Sequence, residues 1–361
     1  MKTGLLAAFV TFFVQTGVDL QEVLNDYQNA SSLFVQRRDA MTNPREEMDR
    51  FHREWRQKLE TALANASMDD PARAWTIYKI TVLASATQDH PAHFEYAQRF
   101  FEMTKASPEQ EMAASMLGHA AFELLLHDKR INSAPSVDID AVMAEVTAIY
   151  ESENPAPKSR IIHLGTPPKM DPYQRDYPTL LRWYARELGE RGRSDEAIAM
   201  YLKSARKLQE LDPDRDSMGC ADQTLHKAGI FAARKNRITD LEKVLAALNE
   251  VRQNQSKYDR GWVVQEIVKT LPEPKDPEAR AKLLRQIAAD NAGNTDSWQP
   301  ILLYELGKKL CSLQRYQEAL PLLEQALETD PFKPVHPIMP QPGQIRDHAE
   351  RLRQRCLDRL K

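Results

Sequence analysis

Residues Pro300 to Pro331 read PILLYELGKKLCSLQRYQEALPLLEQALETDP. Two apolar stripes at helical spacing are separated by a short polar stretch. Leu303, Leu306, Gly307 and Leu310 share one face of the first segment, and Ala319, Leu323 and Ala326 share one face of the second. Small residues at Gly307, Ala319 and Ala326 let two helix backbones approach closely, while the leucines fill the remaining space. The stretch predicts two helices folded back on each other, closed by Pro331 because proline cannot continue a helix.

Outward from this stretch the same pattern recurs in weaker form. In PTLLRWYARELGERGRSDEAIAMYLKSARKLQELDP, from Pro178 to Pro213, Leu181, Ala185 and Leu188 match the first helix. Ala197, Tyr201 and Ser204 match the second, and the closing Pro213 comes one helical turn late. Between the two matches, Thr224 to Val251 keeps Gly229, Ala232, Leu241, Leu245 and Leu248 in register. Trp262 to Ala289 gives another degenerate pair, interrupted by LPEPKDP.

These segments resemble the tetratricopeptide repeat family, whose unit is a helix–turn–helix of 34 residues. The resemblance covers 178–331 and is fullest at 300–331. It implies an all-α fold: a solenoid of antiparallel helix hairpins wound into a right-handed superhelix. It also implies a non-catalytic scaffold for protein–protein interaction, with no cofactor. In that family the first helix of each hairpin lines a concave groove, and its second, fifth, ninth and twelfth positions face inward. By that resemblance the fullest unit presents Ile301, Tyr304, Lys308 and Cys311, and the Pro178 unit presents Thr179, Arg182, Arg186 and Gly189. Arg182 and Arg186 lie one turn apart and can both address one anionic group. The partner class is therefore a protein or peptide carrying an acidic residue or a free carboxylate. The residues that clamp chaperone C-terminal peptides in one branch of the family are not recognisable here.

The rest of the chain reads as helix too. Glycine is scarce and aromatic content is 7%, while alanine, leucine, glutamate, arginine and glutamine are abundant, which favours helix over sheet. Periodicity and start signals place helices at about 19–40, 44–66, 71–87, 91–105, 108–128 and 138–152. Others fall at about 178–191, 194–210, 220–236, 239–254, 258–271, 277–290, 296–313, 315–329 and 344–360. Asn43-Pro44, Asp70-Pro71, His90-Pro91, Ser107-Pro108 and Asp276-Pro277 mark helix starts, because proline at the first position lacks only an N–H that would be unsatisfied anyway.

Five regions follow. Residues 1–18 read as a signal peptide or N-terminal anchor, on Lys2 and the apolar run from Leu5 to Val14, which is too short to span a bilayer. Export to the periplasm or envelope is the expected location, with the cytoplasm as the alternative, and membrane association requires that this segment stays uncleaved. Residues 19–153 form an N-terminal region of helical hairpins. Residues 154–177, rich in proline, form a linker or ordered loop. Residues 178–331 carry the repeats. Residues 332–361 hold a strap and a helix. Pro331, Pro334, Pro337 and Pro340 recur at the polyproline II period in the strap. The helix bears an apolar stripe of Ile345, Ala349, Leu352, Cys356 and Leu360, and caps the array.

Charge and motifs exclude several functions. With 49 basic and 52 acidic residues well mixed, the net charge of -3 leaves no nucleic-acid footprint. No phosphate loop, dinucleotide fingerprint or nucleophile elbow occurs. The three cysteines have no CxxC spacing, which suggests neither a disulfide framework nor a zinc site, and Cys311 and Cys356 sit on apolar faces as small core residues. The histidine pairs His90/His93 and His119/His127 lack a carboxylate or cysteine at metal-ligand spacing, so no metal is expected. His163, in the break, is the most loop-like histidine. The competing reading is a helical accessory region of an exported or envelope enzyme system, with its site on the 154–178 loop.

Overall fold

A computed structural model describes residues 18–37, 41–152, 172–211, 221–253, 260–293, 298–328 and 342–361. The leader-like run, the break with His163, the proline strap and Cys220 lie outside these residues. Every regular element among the described residues is an α-helix. None of these helices is long and apolar enough to cross a membrane. The chain divides into two compact units, 1–180 and 181–361.

The first unit holds α1 (Leu20–Arg37), α2 (Pro44–Asn65), α3 (Arg73–Ala86), α4 (His90–Thr104), α5 (Gln110–Arg130) and α6 (Ile139–Tyr150). Each helix packs on the next in sequence. Ile77, Ile80, Leu83, Phe100, Phe101, Leu117, Leu125 and Met143 are buried between them. Aspartates do the capping. Asp89 accepts from the Ala92 N–H at 3.2 Å, and Asp138 accepts from Asp140 and Ala141. Each satisfies donors that a helix start leaves open. Asn43 makes no side-chain cap although Pro44 opens α2. The Ser107-Pro108 signal precedes α5 rather than starting it, since the helix begins at Gln110.

The boundary between the units falls inside α7 (Pro172–Glu190). The sequence predicts a helix from 178 after a linker; the helix instead begins at Pro172 and runs through Pro178. An interior proline costs about 3 kcal/mol. Burial offsets it: Tyr177 is 3% exposed and Leu180 fully buried. The Tyr177 ring stacks on Tyr150 at 4.7 Å, and its hydroxyl donates to Glu151 at 2.6 Å.

The second unit continues with α8 (Ser194–Leu211), α9 (Ala221–Arg234), α10 (Ile238–Gln253) and α11 (Arg260–Thr270). It ends with α12 (Pro277–Asp290), α13 (Gln299–Ser312), α14 (Tyr316–Glu328) and α15 (Pro342–Leu360). Sequential contacts join α8 to α9, α9 to α10, α13 to α14 and α14 to α15. Alternate contacts join α8 to α10, α9 to α11, α10 to α12, α11 to α13 and α13 to α15. One cluster of buried side chains extends from Ala185 to Cys356. Asp276 caps α12 by accepting from Glu278 and Ala279, both at 3.0 Å.

The turns after α7, α9 and α13 share one backbone geometry. Gly192 (φ 81°), Asn236 (φ 55°) and Gln314 (φ 61°) are left-handed. The next residue then donates to a carbonyl in the helix's last turns: Arg193 to Leu188 and Arg237 to Ala232 at 2.9 Å, Arg315 to Leu310 at 3.0 Å. Such turns satisfy carbonyls that a helix end leaves open.

Within Pro300–Pro331 the small residues sit where the sequence requires them. Ala319, Leu323 and Ala326 are buried against α13. A Cβ added at Gly307 would lie 2.8 Å from both Cγ and Cδ2 of Leu323 and 3.5 Å from the Ala319 carbonyl oxygen. Gly307→Val therefore forces α13 and α14 apart. Its urea midpoint will fall, with a loss of about 1–3 kcal/mol typical of overpacking; an unchanged midpoint would show that the contact is loose.

Candidate functional site

In the second unit, three cations collect beside one another on α7 and α9. Helical spacing puts Arg182 and Arg186 on one face of α7. Arg186 is exposed and pairs with Glu190 on its own helix at 2.9 Å. Arg182 is half-buried; its Nε–H is shielded from water and meets no acceptor. No carboxylate among the described residues forms an ion pair with Arg182. Lys227, on α9, is exposed and likewise forms no ion pair with a described residue.

The electrostatics show that the three charges act on one another. Burial lowers the Lys227 pKa, and repulsion from Arg182 and Arg186 lowers it further. Burial also lowers the Arg182 pKa. Beneath them, Tyr201 of α8 is buried, and burial raises its pKa despite the two arginines nearby. Its ring lies 6.3 Å from that of Phe231 on α9. The arrangement is a cationic rim over an aromatic floor. A half-desolvated guanidinium without an anion gains most from a carboxylate that accepts two of its N–H groups.

The other sequence-predicted groove residues do not join this patch as an open surface. Thr179 is half-buried and belongs to the first unit. Gly189 is buried under the Phe231 ring. Ile301 and Tyr304 on α13 are 4% and 5% exposed, and Cys311 is buried as well. For Tyr304 and Cys311 the cause is α15, which lies on α13 and α14. The Tyr304 hydroxyl shares a 2.8 Å hydrogen bond with Nδ1 of His348 on α15. Burial, with Glu305 nearby, pushes Tyr304 up to about 12. Lys308 is half-buried, with its ammonium 3.3 Å from Glu305. Lys227 was missed because it falls outside the four inward positions that the family resemblance supplies.

A pocket of about 420 Å³ opens elsewhere in the second unit, lined by Pro272, Pro274, Arg280, Lys309, Ser312 and Leu313 among others. Arg280 is only 2% exposed. It donates to the Pro272 carbonyl at 2.9 Å and to Asn236 Oδ1. Lys309 donates to the Leu271 carbonyl at 2.5 Å. Their donors thus clasp the end of α11 and the α9–α10 turn, which is a structural role.

In the first unit the histidines gather around one carboxylate. His93 Nδ1 donates to Glu123 at 2.9 Å, and the tautomer follows because a carboxylate only accepts. His90 Nδ1 stands 3.7 Å from the same oxygen, and the rings of His90 and His127 are 5.1 Å apart. Helical spacing within α5 hides this grouping, because His90 and His93 come from α4. Among the described residues no three potential ligands converge as a metal site. No protein-family model matches the chain, and no curated protein does.

Glu123 offers a pH test. The His93 hydrogen bond holds its pKa below the ordinary 4.5, with further help from the His93, His90 and His119 charges. A lowered carboxylate stabilises the fold above its unfolded value, and that stabilisation is lost as pH falls through the folded value. Because the side chain is 40% exposed, water screens the interaction. Glu123→Gln will lose less than about 1 kcal/mol at pH 7 in urea melts. The deficit will vanish at a pH below the folded value of Glu123.

Proposed function

We propose that this protein is a non-catalytic interaction scaffold whose second unit is a tetratricopeptide-like array. Its groove holds an acidic stretch or a free carboxylate of a protein partner. Two features support the array. Alternate contacts such as α9 on α11 and α11 on α13 are what stacked hairpins produce. The turn arginines Arg193, Arg237 and Arg315 also recur at matching positions in their hairpins. Arg237 reaches Asp195 on α8, and Arg315 reaches Glu278 on α12, so each turn is tied to a neighbouring helix.

The observation that carries the binding role is Arg182, half-buried, with an unmatched Nε–H and two further cations beside it. Leaving a charged donor partly desolvated costs free energy that a bound anion recovers. A cationic rim suits a peptide whose carboxylates meet the arginines.

The test is selection of random peptides on the wild-type chain, followed by binding titrations. Recovered peptides will be enriched in Asp and Glu or will need a free C-terminus. Their affinity will fall with rising salt. Arg182→Glu with Arg186→Glu, checked for native helicity, will weaken binding by about a hundredfold, since attraction is replaced by repulsion. Undiminished binding by that double variant overturns the proposal.

A further inference from the structure

Cys311 and Cys356 read in the sequence as separate core residues, far apart in the chain. The structure brings them together: Sγ of Cys311, on α13, lies 3.1 Å from Sγ of Cys356, on α15. Both are free thiols and both are buried, at 3% and 0% exposure. A disulfide needs sulfurs at about 2.05 Å, so a movement of about 1 Å closes the bond. Two rigid helices supply the pair, and their apolar neighbours Ile345 and Ala349 hold α15 in place.

We propose that Cys311 and Cys356 form a cross-linking site, which a low-molecular-weight disulfide such as oxidised glutathione converts into an intrachain bond fastening α15 to α13. The thiolate of one cysteine attacks oxidised glutathione and expels one glutathione thiolate, leaving a mixed disulfide. The thiolate of the second cysteine attacks the protein sulfur of that mixed disulfide and expels the other glutathione. Two protein thiols are oxidised, one oxidised glutathione is reduced to two thiols, and those thiols take up the protons.

Burial dictates how the bond forms. It pushes Cys311 up to about 12, so Cys311 holds almost no thiolate in the folded chain at neutral pH, and burial closes both sulfurs off from oxidised glutathione. Thiolate is the attacking species. The bond therefore forms while α15 is undocked, and once formed it is shielded from reductants. It closes a long loop that includes α14, and a constraint of that kind lowers the unfolding constant by about a hundredfold.

The test uses the full chain with Cys220→Ser, which removes the remaining cysteine. The protein is exposed to oxidised glutathione, either native or in mild urea followed by refolding. Thiols are then counted by alkylation and intact mass, and the bond is located by peptide mapping. The expected result is loss of both thiols, a peptide linking Cys311 to Cys356 and no retained glutathione. Oxidation will run at least tenfold faster in mild urea. The oxidised chain will unfold at higher urea than the reduced chain, and adding Cys356→Ala will abolish that gain. Two alkylatable thiols after refolding, a stable glutathione adduct in place of the internal bond, or equal urea midpoints for oxidised and reduced wild-type cysteines would overturn the proposal. The comparison of oxidised with reduced protein leaves Cys311 and Cys356 in place, so it does not depend on a variant at either position folding.

Discussion

Close contact between helices at small side chains is the constraint on which the rest depends. At Gly307 the space a Cβ would need is already taken by Leu323. The same holds at Gly118, where Leu180 occupies it, and at Gly229, where Ile267 does. Each contact brings two backbones near enough for leucine and isoleucine ends to fill the gap, and dense contact of this kind is felt methylene by methylene. Because neighbouring helices are seated in this way, the side chains that point away from the contact have fixed positions. Arg182 and Arg186 stand on a helix whose far face is held by Leu181, Ala185 and Leu188, all buried.

That fixed scaffold lets charge be arranged without immediate neutralisation. Surface ion pairs are plentiful, such as Arg56 with Glu60 and Lys207 with Glu210, and each contributes little. Arg280 and Lys309 direct their donors to main-chain oxygens and so close helix ends. Arg182 and Lys227 differ from both groups. Neither is engaged by a described carboxylate, and burial lowers the Lys227 pKa, with Arg182 and Arg186 lowering it further. A scaffold that holds like charges side by side gains by binding an anion there.

Much of the fold was legible because helix periodicity and proline at helix starts are local signals. The helices over 44–65, 277–290 and 299–312 lie within a few residues of where the sequence puts them. What failed were local signals overruled by distant contacts. Pro178 should end a helix, yet the burial of Tyr177 and Leu180 carries α7 through it. Asn43 has the right residue type for a cap and makes none. At the site, Arg182 and Arg186 could be read from one-turn spacing alone. Lys227 could not, since its place beside them depends on how α9 lies against its neighbours. Nor could the loss of Tyr304 from any open surface, because α15 returns across α13 from far along the chain. Cys311 meets Cys356 through the same return.

The most direct measurement of the central claim is NMR of the arginine Nε–Hε groups, recorded as an acidic peptide is titrated into the full chain. The Nε–Hε signals of Arg182 and Arg186 should shift saturably, with Arg182 moving most because its Nε–H gains its first acceptor. Arg191, already paired with Glu187 at 2.8 Å, should stay where it is. A peptide that binds while the Arg182 signal remains at its free position would contradict the account.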